Sequence, residues 1–307
     1  MKAVIYSTYG PPEVLKITKL PKPSPRPKEV LVRVHASSVT AGSLLMRRGT
    51  HPSSKLFTGI IRLTGGLKTP KKPVLGYEFS GEVVAIGKEV TSYQVGDQVF
   101  GTTSGLKQGA YAEYVCVPEK WPSGVMTHKP PNLSHYQAAV LPIAAMTTMH
   151  FFSKVTLTPE MSLMIYGASG SVGSAALQIA KAYGCHVTAV CSQKNFHMVQ
   201  SLGADRVIDY QTEKLDKYDG HYQVIFDAVG KINRKSVQAI LAGSGHYFSV
   251  NRPTSETIDK LNRVLDLVKD QTFTPYIDQI FDLDQIQAAH QLADTGHKRG
   301  NIAIRII

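Results

Sequence analysis

The stretch Ser162-Leu163-Met164-Ile165-Tyr166-Gly167-Ala168-Ser169-Gly170-Ser171-Val172-Gly173 decides the reading of this 307-residue chain. Its first five residues form a short apolar run bounded by glycine, as in a buried strand. Beyond it Val172, Ala175, Ala176, Ile179, Ala180 and Tyr183 recur at helical spacing until Gly184 stops the helix. Three glycines, each separated by two residues, occupy the junction. At such a turn the unpaired first-turn amides and the positive end of the helix dipole converge, and the missing Cβ atoms let an anion reach the backbone. Helix–strand packing alone also selects small residues there, so the motif gains meaning only from its surroundings.

Those surroundings alternate short β-branched runs with helical segments. Strands are expected at His186–Cys191, Arg206–Asp209, Gln223–Asp227 and His246–Val250, and helices at Val172–Tyr183, Phe196–Leu202 and Arg234–Leu241. The rhythm predicts an α/β architecture, a doubly wound parallel sheet of the Rossmann type covered on both faces. In that context Gly167, Ala168, Ser169, Gly170, Ser171, Val172 and Gly173 read as a cradle for a dinucleotide diphosphate. NAD-binding sheets place an Asp or Glu at the end of the second strand for the ribose 2′-hydroxyl. Here the place reads Ser192-Gln193-Lys194-Asn195, with no carboxylate to repel a 2′-phosphate. Ser192 and Asn195 are expected to hydrogen-bond phosphate oxygens and Lys194 to add charge, which favours NADPH over NADH; an ordinary polar loop is the alternative.

Before about Pro118 the signals are those of β structure, with alternation in Val30-Leu31-Val32-Arg33-Val34-His35 and turn residues at Pro21–Pro27, Gly96-Asp97 and Gly101–Gly109. A compact, barrel-like β domain is expected there. After about Ser255, a helix to Asp270, a strand at Pro275–Asp278, a second helix and a final strand Asn301–Ile306 are too few for a third domain. They are expected to return to the first. The expected domains are therefore 1–122, completed by 255–307, with 123–254 inserted as the dinucleotide-binding domain.

Hydrophobic residues make up 43% of the chain and charged residues 19%, which suits globular cores rather than disorder. The longest apolar stretches, such as that around 138–145, are interrupted by Pro142 and fall short of the roughly 20 residues of a membrane span, so no transmembrane segment is expected. Met1–Tyr6 reads as a strand and not as a signal peptide, which points to a cytoplasmic protein. Cys116, Cys185 and Cys191 have the spacing of neither a disulfide framework nor a zinc site and are expected to be reduced thiols. A formal charge of +11 would suit polyanions, yet the basic residues are scattered. With no RNA-recognition aromatic motif or arginine-rich tail, nucleic acid is not the expected partner. In His51–Pro73, Phe57, Ile60, Ile61 and Leu63 lie among basic residues and glycines. That segment reads equally as a mobile lid over an apolar substrate or as a surface loop, with an amphipathic membrane contact as a third option.

Both halves together resemble the zinc-independent quinone oxidoreductase (zeta-crystallin-like) branch of the medium-chain dehydrogenase/reductase superfamily. The residues that carry the likeness span nearly the whole chain: Met1-Lys2-Ala3 with Tyr9-Gly10-Pro11-Pro12, Gly76-Tyr77-Glu78-Phe79-Ser80-Gly81, Val95-Gly96-Asp97-Gln98-Val99, Gly109-Ala110-Tyr111-Ala112-Glu113-Tyr114, the glycine turn, Ser201-Leu202-Gly203-Ala204-Asp205 and Gly296-His297-Lys298-Arg299-Gly300. The resemblance implies a Rossmann domain inserted into a GroES-like β-barrel catalytic domain, substrate and nicotinamide meeting in a cleft, and a homodimer. It further implies that Tyr210 approaches the 2′-phosphate, that Ala228 and Val229 border the adenosine ribose, that Ser249 and Val250 border the nicotinamide, and that Thr147 lies near the nicotinamide ribose.

In zinc-dependent relatives a Cys and a His stand where this chain has Thr40 and Tyr77, and Leu141–Ala145 offers no third ligand, so no metal is expected. Without a Lewis acid an unactivated alcohol is hard to oxidise, because nothing stabilises the alkoxide. Hydride transfer to a quinone or an α,β-unsaturated carbonyl needs mainly alignment. The expected activity is thus NADPH-dependent reduction of a quinone or enone, with Tyr77 as proton or hydrogen-bond donor and Thr40 as its neighbour. Tyr77 merely filling the volume of a lost zinc is the competing reading. A zinc-free alcohol dehydrogenase-like enzyme and a cofactor-regulated RNA- or membrane-binding protein stand as alternative functions. Zinc-free relatives commonly carry Asn and Asp where this chain has Thr40 and Ser43, so the polar contacts there differ from the family pattern.

Overall fold

The computed structural model describes residues 1–51, 54–106, 109–215, 218 and 220–307. Pro52 and Ser53 of the His51–Pro73 segment, and Lys107 and Gln108 of the Gly101–Gly109 turn, lie outside the described residues. The chain forms two compact units, Met1–Pro142 with Ile277–Ile307, and Ile143–Tyr276.

The first unit contains β1 (Lys2–Ile5), β2 (Lys16–Lys19), β3 (Glu29–Ser38), α1 (Ala41–Arg48), α2 (Lys55–Gly65), β4 (Glu78–Ile86), β5 (Gln98–Thr102), β6 (Tyr114–Pro118), β7 (Met126–His128) and α3 (His135–Val140). α4 (Pro142–Phe152) leads into the second unit, which holds β8 (Ser162–Tyr166), α5 (Ser171–Ala182), β9 (His186–Cys191), α6 (Phe196–Ser201), β10 (Arg206–Asp209), β11 (Tyr222–Asp227), β12 (Leu241–Ser249) and α7 (Ile258–Lys269). β13 (Ile277–Asp282), α8 (Ile286–Asp294) and β14 (Asn301–Arg305) return to the first unit.

β3 organises the first unit. Val30, Val32, Val34 and Ala36 are fully buried at alternate positions, as a strand with one core face requires. The strand pairs antiparallel with β4, with β6 along Glu29–Arg33, and with β14 along Ala36–Ser38. Register shifts at Leu31/Val32 and Val34/Ala36 bend it enough to serve three partners. Val99, Val115, Val117, Ile302 and Ile304 complete the same core. α3 starts in a capping box, Ser134 with Gln137, and its first residue, His135, stacks on His35 at 4.4 Å and bonds Ser80 Oγ at 2.8 Å.

In the second unit the strand order is β10-β9-β8-β11-β12, all parallel. Leu163, Met164 and Ile165 of β8 and Val224, Ile225 and Phe226 of β11 are wholly buried, the unbroken apolar runs of strands covered on both faces. Phe151 and Phe152 of α4 pack on Phe226. On α7 the buried residues Leu261, Val264 and Val268 recur at helical spacing.

Two expectations differ from this architecture. The units divide at 142/143 and 276/277, where the sequence pointed to 122/123 and 254/255. The reason is packing: α3 lies on β3, β4 and β14, and α7 lies on α5. The helix expected at Arg234–Leu241 is absent. Asn233 and Ser236 exchange side-chain to backbone bonds of 3.0 and 3.2 Å, and the amides that follow bond three residues back, so only a 3₁₀ turn at Lys235–Val237 forms. β12 already begins at Leu241, opposite Tyr222. Among the described residues no helix is long and apolar enough to cross a membrane.

Candidate functional site

The strand order reverses beside β8, whose neighbours are β9 and β11, and in open α/β sheets ligands bind at such a switch point, outside the carboxyl ends of the strands. Tyr166 and Asp227, the last residues of β8 and β11, are register partners, so the glycine turn and the loop after β11 leave the sheet side by side. The turn is pinned by Gly167 and Ala168 N–H, both donating to Val190 O at 2.9 and 3.1 Å, and by Ala228 N–H donating to Tyr166 O at 3.0 Å.

Each glycine has its own reason. Gly167 has φ +81°, and a Cβ there would lie 2.0 Å from Val229 Cγ2. A Cβ on Gly173 would stand 2.1 Å from Gly167 O, so this glycine lets α5 close on the turn. A Cβ on Gly170 would meet nothing nearer than Gly167 O at 3.5 Å. Gly170 is the N-cap of α5, and its carbonyl accepts from Ser174 N–H at 2.8 Å, which opens the helical ladder. The amides of Val172 and Gly173 therefore precede the helical ladder, beside open space at Gly170, which is the arrangement that accepts a diphosphate.

Asn195 has a different role from the expected one. It is buried, and its Nδ2 donates to Ser169 Oγ at 3.0 Å and to Ser192 Oγ at 3.2 Å. Both serine oxygens act as acceptors there, which leaves their own hydroxyl protons for another acceptor. Asn195 thus links the glycine turn to the end of β9 and orients Ser169 and Ser192, while Lys194 beside them is exposed. Tyr210 follows β10, its ring 6.2 Å from that of Tyr166, and lines a pocket with Glu213, Lys214, Leu215, Tyr218 and Ser236.

The buried Asp227 carboxylate organises the loop after β11. Its two oxygens accept from the amides of Val229, Gly230, Lys231 and Ile232 at 2.8–3.3 Å and from Ser249 Oγ at 3.2 Å. One side chain therefore fixes Ala228 and Val229 and ties Ser249, with Val250 after it, to the same loop. Thr147 lies half-buried on α4, next to Thr148, whose hydroxyl reaches Ala144 O and Val172 O. These placements fit a dinucleotide: a Cβ-free cradle, helix amides, hydroxyl donors and a cation at the end of β9.

The first unit holds a separate pocket lined by Tyr6, Met46, Lys72, Val74, Leu75, Tyr77, Thr103 and Leu106. Thr40 and Tyr77 do come together: a Cβ on Gly42 would lie 3.6 Å from Thr40 Oγ1 and from Tyr77 Cδ2 alike. Thr40 Oγ1 caps α1, accepting from Ser43 N–H at 3.2 Å and lying 3.1 Å from Ser43 Oγ. Tyr77 is held through its backbone carbonyl, which accepts from Thr103 N–H at 2.8 Å. Tyr6 is 1% exposed, and its hydroxyl has no hydrogen-bond partner among the described residues. Burial raises its pKa, reinforced by the neighbouring Tyr77 and Tyr9 hydroxyls, so it stays a neutral donor. Burial also lowers the pKa of Lys72. Among the described residues no cluster of three or more His, Cys, Asp or Glu could hold a metal ion.

Sequence reasoning overlooked Tyr6, Lys72 and the hub role of Asp227. Tyr6 was legible only as the end of an edge strand, and no spacing signals where its ring goes. Asp227 did carry a signal, an acid at a parallel strand's carboxyl end followed by a glycine-containing loop.

Residues 26–128 match the alcohol dehydrogenase GroES-like domain family, and residues 171–276 and 251–304 match two zinc-binding dehydrogenase families. The chain is 28% identical to the Danio rerio protein named NAD(P)H oxidoreductase RTN4IP1, mitochondrial, over 100% of this chain and 92% of that one. The Bos taurus protein of that name is 36% identical over 75% of this chain, a match that spans 60% of its own length. Arabidopsis thaliana NADPH-dependent alkenal/one oxidoreductase, chloroplastic, is 30% identical over 99% of this chain and 79% of that protein. Among solved structures, the quinone oxidoreductase from Coxiella burnetii superposes with a TM-score of 0.87 at 29% identity, covering 100% of this chain and 99% of that one.

Proposed function

This chain belongs to the medium-chain dehydrogenase/reductase family, and within it we propose that it is an NADPH-dependent reductase of quinones or α,β-unsaturated carbonyls that works without zinc. The observation that carries the proposal is the pairing of a Cβ-free diphosphate cradle at Gly167–Gly173 with an acid-free, hydroxyl-bearing end of β9 at Ser192–Asn195. Gly170, Val172 and Gly173 would hold the diphosphate. Ser192 and Lys194, with Tyr210, would meet the 2′-phosphate. Ala228 and Val229 would line the adenosine ribose, and Ser249, Val250 and Thr147 the nicotinamide end. When bound, the dinucleotide supplies a hydride.

The remaining work falls to the pocket of the first unit. Its apolar wall of Met46, Val74, Leu75 and Leu106 suits a flat, poorly solvated acceptor, and Tyr77 supplies a hydroxyl for the carbonyl oxygen or the proton an enone needs. Thr40 holds Tyr77's neighbourhood in place as the cap of α1. The residues at the family's metal-ligand positions, Thr40 and Tyr77, are poor zinc donors, so the acceptor must arrive already electrophilic. That favours quinones and enones over simple alcohols. We also propose a homodimer, since β12 is a terminal strand of its sheet and pairing with a second copy there would extend the sheet; analytical ultracentrifugation tests it.

The test of function is to mix the protein with NADPH or NADH and either a small quinone or a 2-alkenal while following nicotinamide absorbance. Oxidation of NADPH by one class or both is expected. No oxidation with either class refutes the enzymatic proposal, and a preference for NADH refutes only the assignment at Ser192–Asn195.

A further inference from the structure

The helix α2 is built inside out. It is capped by Ser54, which accepts from Phe57 N–H at 3.2 Å, and apart from the part-buried Ile61 the side chains it turns toward the rest of its unit are polar or small. Thr58 Oγ1 accepts from His51 N–H at 2.8 Å, Arg62 Nε donates to Gly49 O at 2.7 Å, and the Arg62 guanidinium lies 4.0 Å from the centre of the Tyr9 ring. Gly65 is buried against Met46. The apolar side faces outward. Leu56 is 74% exposed, Leu63 67% and, just past the helix, Leu67 71%, with Phe57 and Ile60 also exposed. Isolated exposed leucines need no explanation, but a contiguous stripe on one helix face, anchored from behind by polar bonds, does.

The charge around this stripe chooses its occupant. Between Glu29 and Glu78 the chain contains no Asp or Glu at all, and Lys55, Lys68 and Lys71 stand exposed at the two ends of the helix. A second copy placed face to face would bring these lysines against their like, which is unfavourable. We infer that α2 and the following Leu67–Lys72 segment form a peripheral docking surface for an anionic lipid bilayer. The leucines and Phe57 enter the boundary between headgroups and acyl chains, while the lysines meet phosphate groups. Arg62, turned inward onto Tyr9, is not part of the lipid-facing set. The inference does not depend on the redox reading.

The experiment is sedimentation of the full chain with vesicles of phosphatidylcholine alone, or of equal parts phosphatidylcholine and phosphatidylglycerol, at low and high salt. Binding to the anionic vesicles only, weakened by salt, is expected. The double substitution Leu56→Asp with Leu63→Asp should lower vesicle affinity by at least about ten-fold while leaving the melting temperature unchanged, since both side chains are already exposed. Lys68→Glu with Lys71→Glu should lower it at low salt and have less effect at high salt. Four results would overturn the inference: no binding to anionic vesicles; equal binding by the leucine variant; a self-association of the wild type that the leucine variant abolishes while vesicles are ignored; or binding to a polyuridine RNA in place of vesicles. The second of these, accompanied by a raised KM for a soluble quinone, would favour a substrate lid instead.

Discussion

Alanine at Gly170 and alanine at Gly173 separate the proposed site from the fold that carries it. Gly170 has φ −82° and ψ 177°, a conformation open to any residue, and its added Cβ would touch only Gly167 O at 3.5 Å. Gly170→Ala should therefore leave stability unchanged or raise it by about 0.4–1 kcal/mol through the unfolded chain. The same Cβ fills the space assigned to the diphosphate. Binding should weaken by the cost of an added methyl in a filled site, about 1–3 kcal/mol, or roughly 5- to 150-fold in Kd. Gly173→Ala is the opposite case. Its Cβ would stand 2.1 Å from Gly167 O and 2.7 Å from Ala168 Cα, and backbone atoms yield only if the turn opens. That variant should lose about 1–3 kcal/mol of stability or more, in addition to cofactor affinity. Urea unfolding and titration of NADPH by nicotinamide fluorescence read the two effects apart. A Gly170→Ala protein that binds NADPH like the wild type would refute the placement of the diphosphate, and one that unfolds like Gly173→Ala would refute the packing argument.

Other outcomes follow from the same structure. Ser192→Glu puts a carboxylate beside the expected 2′-phosphate and should shift the NADPH-to-NADH ratio of kcat/KM by on the order of a hundred-fold; parallel kinetics showing both cofactors equally affected would count against it. Tyr77→Phe should slow enone reduction by about a hundred-fold and leave quinone reduction nearly intact, because the hydroquinone anion left by hydride transfer is stable enough to take its proton from solvent, whereas the enolate formed from an enone needs a donor at hand; equal losses with both acceptors would assign Tyr77 to packing. Tyr6→Phe removes a buried hydroxyl that has no partner among the described residues, so its melting temperature should hold or rise, and a clear fall would mean that the hydroxyl is bonded. Burial depresses the pKa of His135 from 6.5 to about 4 and also lowers that of His35. Between those values the unfolded chain binds more protons than the folded one, so stability falls as pH drops from 6.5 toward 4. His135→Asn should flatten that part of the curve of melting temperature against pH; identical slopes would exclude the histidine pair as its source.

The parallel sheet and the glycine turn at its carboxyl end were legible because they depend on local signals. β8, β9 and β10 stand where their apolar runs placed them, and the glycine turn needed only its flanking strand and helix. The Arg234–Leu241 segment misled because its helical spacing competed with the Asn233–Ser236 bonds and with the pull of β11 on Leu241, neither of which periodicity registers. Asn195 was read by its donor capacity, yet its donors are spent on two serines that the sequence places apart. The approach of Tyr77 to Thr40 came from the family likeness alone, since no local pattern joins residues on different elements. Tyr6 had no signal of either kind. The outward apolar face of α2 defeats the ordinary rule that a helix hides its apolar stripe, so sequence left that segment open between loop, lid and membrane contact.

The triple pairing of β3 also sets an order of events during synthesis. β4 and β6 follow β3 closely, but Ser38 waits for Ala303 near the end of the chain. A ribosome adding about 5–20 residues per second emits the whole of 143–276 in between. The parallel sheet can thus fold and settle while one margin of β3 still displays unpaired amides and carbonyls. Closure by β14 is a late, long-range event of high contact order, and the waiting strand is the place where a nascent chain is most exposed to pairing with the wrong neighbour.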